Sequence, residues 1–246
     1  MLSRSVPFLV FALTASTVPI VAAQPSPEAV VAAWQRTTGD AARAVRTVTL
    51  SETITQRVDG PRTAVTVETR GTLTYSGRRR PERVVREATV DGQPVPPARV
   101  AELGRRLGRG AGTDDATRPP HLLPPVLEHG VPVRLELDTV DGRAAWRVAL
   151  RMPPGGPHRR RGPPPEDRAE AWFSRSASAP HLLRLRVEGE RAGGAFVRTV
   201  DFRRTDGLDL PAAMSASAEV RQRRRLRVYA TGVAAEARYG RATITR

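Results

Sequence analysis

Hydrophobic residues recur at two intervals along this chain, and the change of interval divides it. Ser26-Pro27-Glu28 opens a helix, with Ser26 suited to cap it and Pro27 to stand first. Ala29, Val30, Ala33 and Trp34 follow at helical spacing, Gly39 ends the pattern, and Asp40 to Ala44 leads into a strand. From Val45 the period is two. Val48, Leu50, Ile54 and Val58 share one face, although Arg46, Glu52 and Gln56 share their parity and make the alternation imperfect. Asp59-Gly60 marks a hairpin. The next run is cleaner: Val65, Val67, Leu73 and Tyr75 lie opposite Thr66, Glu68, Arg70, Thr72 and Thr74. A third strand, about Arg83 to Val90, precedes Asp91-Gly92. Connections this short join antiparallel strands.

Pro96 to Arg109 carries Val100, Leu103 and Leu107 and reads as a short amphipathic helix ended by Gly108-Arg109-Gly110. Residues 110 to 125 read as irregular, with a helical turn around Leu122, Leu123, Val126 and Leu127. Alternation returns at Val131, Val133, Leu135 and Leu137, and again at Trp146, Val148, Leu150 and Met152. A loop of Pro, Gly and Arg fills residues 153 to 167. Further strands are expected at about 170–173, 181–188, 195–204, 211–220, 223–231 and 243–245. No long helical pattern alternates with them, so the chain is not a doubly wound α/β protein. The pattern predicts a mainly β (α+β) chain. Its sheet is a curved, incompletely closed antiparallel β-barrel covered by a few short helices, in one domain over residues 24–246. An apolar sheet face needs a cover. The concave side either holds a hydrophobic ligand or is filled by side chains. The candidates for lining a cavity are Val65, Val67, Leu73, Tyr75, Trp146, Val148 and Trp172; core packing is the other reading of Trp34, Trp146 and Trp172.

The first twenty-three residues have the three parts of a secretory signal. Arg4 supplies the positive region, Val6 to Ala15 is apolar apart from Pro7 and Thr14, and Val21-Ala22-Ala23 ends in small residues. Cleavage after Ala23 leaves 223 residues beginning at Gln24. A membrane anchor is the competing reading, but the run is short of the roughly 20 residues that span a bilayer, and Pro19 interrupts it. No cysteine follows for lipidation. The expectation is an exported protein, periplasmic, soluble or peripheral to a membrane.

Composition narrows the chemistry. Of 246 residues, 40 are basic and 25 acidic, a formal charge of +15, and every basic residue counted is Arg. The missing lysine excludes a P-loop, a Schiff-base lysine and a Ser-x-x-Lys nucleophile. The missing cysteine excludes disulfides, thiolate metal sites and a cysteine nucleophile. His121, His129, His158 and His181 show no metal-binding spacing. Asp114-Asp115 and Glu166-Asp167 are loop carboxylates with no sign of acid/base work. No catalytic residue, metal or cofactor is expected. The triplets Arg78-Arg79-Arg80, Arg159-Arg160-Arg161 and Arg223-Arg224-Arg225 read either as a site for anionic surfaces or as a solvated exterior produced by GC-rich codon usage. The first two are the anionic-surface candidates. Aromatic residues make up 4% and do not interleave with the arginines, which argues against nucleic acid.

The order of elements resembles the periplasmic lipoprotein-carrier superfamily, that of LolA, LolB and the related outer-membrane lipoprotein-sorting proteins and sigma-factor-regulator sensors. The resemblance covers most of the mature chain. It is carried by Gly71-Thr72-Leu73-Thr74-Tyr75, Arg83-Val84-Val85-Arg86 and Asp141-Gly142-Arg143-Ala144-Ala145-Trp146-Arg147-Val148. It continues in Ala171-Trp172-Phe173-Ser174 with Pro180 to Arg184, and in Asp201 to Pro211. The 153–167 loop and the arginine content depart from the carrier pattern. The resemblance implies a strongly curved open barrel under helices, a cavity for acyl chains and no catalysis. The function expected is a non-enzymatic carrier or binding protein for lipoprotein acyl chains or another hydrophobic ligand in the cell envelope. The alternative is an envelope signalling or interaction module that docks an acidic partner through its arginine-rich surface.

Overall fold

Eleven antiparallel strands form one sheet in the computed structural model, which describes residues 24–59, 63–77, 81–109, 118–152, 168–176, 178–191, 194–224 and 227–246. The signal segment 1–23 and the runs Arg78–Arg80 and Arg159–Arg161 lie outside the described residues. The strands are β1 (Thr47–Asp59), β2 (Ala64–Ser76), β3 (Glu82–Val90), β4 (Gln93–Pro94), β5 (Val131–Val140), β6 (Arg143–Arg151), β7 (Arg168–Ser174), β8 (Leu182–Arg191), β9 (Gly194–Thr205), β10 (Leu208–Arg224) and β11 (Arg227–Thr245). Their order across the sheet is β4-β3-β2-β1-β11-β10-β9-β8-β7-β6-β5. Every neighbouring pair is consecutive in sequence except β1 and β11. The sheet is open, with β4 at one edge and β5 at the other.

This topology dictates the cover. The chain leaves the sheet at Pro94, on one edge, and re-enters at Val131, on the other. The connection carries α3 (Pro97–Arg109) and α4 (Pro125–His129). A second cover precedes β1: α1 (Pro27–Trp34), a π-helical turn (Gln35–Gly39) and α2 (Asp40–Ala44). Ser26 caps α1 by accepting from the Ala29 amide at 3.2 Å. The helix does not end at Gly39, as the pattern suggested. Gly39 keeps helical angles at a cost of about 1 kcal/mol relative to alanine. The wide turn sets Thr38 against the sheet, where its hydroxyl accepts from Arg204 at 2.6 Å.

Three short connections among the described residues are tight turns. Asp91-Gly92, Asp141-Gly142 and Asp206-Gly207 all hold positive φ at both positions (49° and 78°, 50° and 75°, 49° and 82°), the geometry that matches the twist of a two-residue hairpin.

The main core cluster draws on α1, α4 and on β1, β2 and β6 to β11, so both halves of the sheet curve around one interior. Burial alternates along β1 without a break: Val48, Leu50, Glu52, Ile54 and Gln56 are all buried. The polar pair that spoiled the alternation in sequence therefore faces inward. Three further expectations are corrected. Residues 232–242 complete one long strand, β11, in place of the separate strands expected at 223–231 and 243–245. Val233, Ala235, Ala237 and Tyr239 are buried there, because pairing with β1 and β10 on both sides overrides the weak strand preference of alanine. On β5, Val131, Val133 and Leu137 are 51%, 58% and 60% exposed, because β5 is an edge strand with a bulge between Pro132 and Arg134. Trp172 stands on the outer face. It lies opposite Arg147, while its neighbour Phe173 lies opposite Trp146 inside, and it packs with Val140, Ala145 and Leu183 in a cluster separate from the main core.

Candidate functional site

The interior holds two kinds of surface. At one end, Trp34 of α1 is fully buried against Phe173, with ring centres 6.3 Å apart. Its indole N–H donates to Asp209 at 2.8 Å, and the same carboxylate accepts from the Leu182 amide at 2.9 Å and from Arg204 at 2.8 Å. Asp209 thus ties α1, β8 and β9 to β10, which gives the Asp206 to Pro211 segment a structural task. This end is closed.

Nearer the middle lies a buried polar group. Arg83 reaches Glu52 with two hydrogen bonds, 2.6 and 2.9 Å, and the two side chains are 2% and 3% exposed. The register explains how. Glu52 pairs with Gly71 and Gly71 with Val85, so a position without a side chain separates the carboxylate from β3. Gly71 is also required by backbone approach, since a Cβ there would lie 2.0 Å from the Val84 carbonyl oxygen. The bulge at this point lets Arg83 and Val85 share the inner face with Ala88 and Val90. Tyr239 lies opposite Glu52 on β11. The Arg83 Nη1 and the Tyr239 hydroxyl are buried without a hydrogen-bond partner. Burial first, and the Glu52 charge second, push the Tyr239 phenol above its usual range.

Beside this group a cavity of about 130 Å³ opens between the concave face and the 118–126 connection. Leu185 and Val187 of β8 and Phe196, Val200 and Phe202 of β9 form the sheet wall. Pro120, Pro124, Pro125 and Val126 form the facing wall, with Met152 at the side. Three cationic-type side chains join these apolar walls: Arg118, His121 and Arg198. Arg198 projects from the inner face of β9 and donates to the Arg118 carbonyl at 3.4 Å. Tyr75 fixes the same connection by donating to the Pro120 carbonyl at 2.7 Å. Its burial drives its phenol well above the usual range.

The expected lining residues fall elsewhere. Leu73, Tyr75, Trp146 and Val148 are in the main core, Val65 and Val67 are half-buried on the inner face of β2, and Trp172 is on the outer face. None of them lines this cavity. The missed residues sit on β8 and β9, whose alternation is as plain as that of β2. The choice among strands depends on which ones α1 covers, and that is a tertiary fact.

On the outer face the described arginines pair across strands. Arg147 meets Glu136 and Arg184 meets Asp201, while Arg186 meets Glu188 two residues along its own strand. Each exposed pair contributes at most about 1 kcal/mol. Among the described residues no group of three or more His, Asp or Glu is placed to hold a metal ion, and no helix is long and apolar enough to cross a membrane.

No protein-family profile matches the chain, and no curated protein matches it in sequence. Solved structures do. A DUF1329 family protein from Desulfovibrio piger is similar, with 11% identity over 89% of this chain and 94% of that one, and a TM-score of 0.42. A domain from Vibrio parahaemolyticus described as an outer membrane lipoprotein-sorting protein is similar at 10% identity, over 89% and 93% of the two chains, with a TM-score of 0.40. LprF from Mycobacterium bovis is similar at 12% identity, over 91% and 99%, with a TM-score of 0.32.

Proposed function

We propose that this chain is an exported, non-enzymatic carrier or binding protein that takes the acyl chain of a lipid or lipoprotein into the cavity between β8–β9 and the 118–126 connection. The observation that carries the reading is a cavity walled by Leu185, Val187, Phe196, Val200 and Phe202 in a sheet that leaves one side open. Apolar walls with a few placed polar groups suit a hydrophobic ligand. Binding is driven by removal of the chain from water, about 25 cal/mol per Å² of apolar surface. Transfer then follows the difference in affinity between donor, protein and acceptor. Residues 1–23 act as the export signal, cleaved after Ala23, and the protein works in the periplasm.

The test is incubation of the mature protein, residues 24–246, with total membrane lipid, followed by re-isolation and extraction. Lipid is expected in near-stoichiometric amount. A Val200→Trp variant, which fills the cavity, is expected to retain its fold by circular dichroism and to carry several-fold less. Recovery of no lipid by the wild-type protein overturns the reading.

A further inference from the structure

Among the described residues four large apolar side chains are exposed, and three of them, Val131, Val133 and Leu137, stand on β5. β5 is also an outermost strand, and among the described residues it pairs with β6 alone. An open strand edge is a template for another strand, and proteins blunt such edges with short strands, bulges, proline and charge. The opposite edge is blunted in this way, because β4 is two residues long. On β5, Pro132 and the bulge between Pro132 and Arg134 blunt only the start of the strand. From Arg134 to Val140 the register with β6 runs without a shift.

The side chains of that stretch form a pattern that is its own complement. Leu135 and Leu137 lie opposite Val148 and Trp146 on the inner face, and Glu136 lies opposite Arg147 on the outer face. Glu136 accepts from Arg147 and from Arg134, whose side chain is 69% exposed. Rotation of a second copy about an axis through Leu135 sets the two β5 strands antiparallel. Val133 then faces Leu137 and Arg134 faces Glu136, each pair occurring twice. Apolar residues and opposite charges that face each other across an antiparallel pair stabilise it, and like charges destabilise it. Neighbouring axes lack this match. At Arg134 or Glu136 a charge faces its own copy, and at Leu137 Glu136 faces Asp138.

We propose that a second copy of this chain docks on β5 and joins the two sheets through an antiparallel β5–β5 pair centred on Leu135. Both copies use the same surface, so the assembly closes as a two-fold dimer. The pairing is independent of the carrier reading. Contact along one strand edge falls below the roughly 1,000 Å² of a stable interface, so the dimer is a weak one, with a dissociation constant of about 10–100 µM.

Sedimentation velocity of residues 24–246 tests it over about 1 to 500 µM protein in about 0.15 M salt, where repulsion between two positively charged copies is screened beyond about 8 Å. The mass is expected to move from one copy to two across this range. Arg134→Glu sets a carboxylate opposite Glu136 at both ends of the pair and is expected to weaken the dimer about tenfold or more, with its fold checked by circular dichroism. The register is read by single cysteines, since the chain has none of its own. On the axis Leu135 faces its own copy, so Leu135→Cys is expected to form a disulfide-linked dimer faster than Leu137→Cys, although random collision favours the more exposed Leu137. A monomer across the whole range, a dimer that Arg134→Glu leaves unchanged, or faster crosslinking of Leu137→Cys overturns the proposal.

Discussion

Replacing Asp209 with alanine removes one carboxylate and strands three donors. The Trp34 indole N–H and the Leu182 amide are both buried, and each loses its acceptor. A buried donor left unmatched costs about 1–3 kcal/mol. Arg204 loses less, since its side chain is 34% exposed and it still reaches Thr38. The expected loss is about 3–5 kcal/mol, the range for breaking a buried charged pair. At about 2–4 °C per kcal/mol for a domain of this size, the thermal midpoint falls by roughly 10 °C. Urea unfolding of residues 24–246, followed by tryptophan fluorescence and circular dichroism, measures this as a lower midpoint at unchanged slope. Asp209→Asn keeps one acceptor oxygen and should fall between wild type and alanine. In a double-mutant cycle, Trp34→Phe should cost clearly less in the Asp209→Ala background than in wild type. A loss below about 1 kcal/mol for Asp209→Ala, or strict additivity in the cycle, would refute the tie between α1 and β10.

Other expectations follow from the same geometry. Arg83→Met leaves Glu52 buried and unmatched and should cost about 3–5 kcal/mol, whereas Glu52→Leu with Arg83→Met should recover most of that loss; urea midpoints of the three variants decide it. Gly71→Ala places a methyl group against the Val84 carbonyl, so a loss of about 2–3 kcal/mol is expected from backbone displacement at the bulge, read by the same titration. The Asp138 carboxyl is held below its usual range, first by the Trp172 indole hydrogen bond and then by the Thr139 amide. A lowered folded value supplies stability above the unfolded pKa and loses it as pH falls through the folded value, so NMR titration should show the Asp138 pKa rising in Trp172→Phe. Tyr75 and Tyr239 have the opposite sign: their raised values mean that stability falls as pH climbs above about 10, where the unfolded phenols ionise first. Tyr75→Phe should flatten that alkaline loss in pH-jump unfolding.

The legible parts of the fold were those with a local cause. The turns at Asp91-Gly92, Asp141-Gly142 and Asp206-Gly207, the Ser26 cap and the alternation of β2 and β6 are dictated by neighbours in sequence, and the structure has them where the pattern puts them, while the Asp59-Gly60 turn falls outside the described residues. What could not be read depends on contacts distant in sequence. Glu52 spoils a pattern until Arg83 is brought to it across Gly71. Ala234 to Ala237 favour helix in isolation and become strand between β1 and β10. Trp172 and Phe173 are adjacent large aromatics, and only the register with β6 decides which one faces inward. Arg198 and Arg204 share the parity of Phe196, Val200 and Phe202 on β9, which separates them from the arginines on the polar strand faces. Alternation alone leaves open whether the concave side is filled or hollow, because the cavity beside β8 and β9 depends on where the 118–126 connection packs.

The seam between β1 and β11 bears on the order of assembly. Every other strand pair forms by local hairpin closure, which is fast, but this pair joins Thr47 to Thr245. Closing a loop of that length costs about 4–5 kcal/mol in its logarithmic term alone, and nothing repays it until both meanders are in place. The two halves of the sheet should therefore gain hydrogen-exchange protection first and the seam last, an order that pulse labelling during refolding reads directly. A chain made from its N-terminus onward lacks β11, the strand that joins the two halves of its sheet, until residues 227–245 arrive.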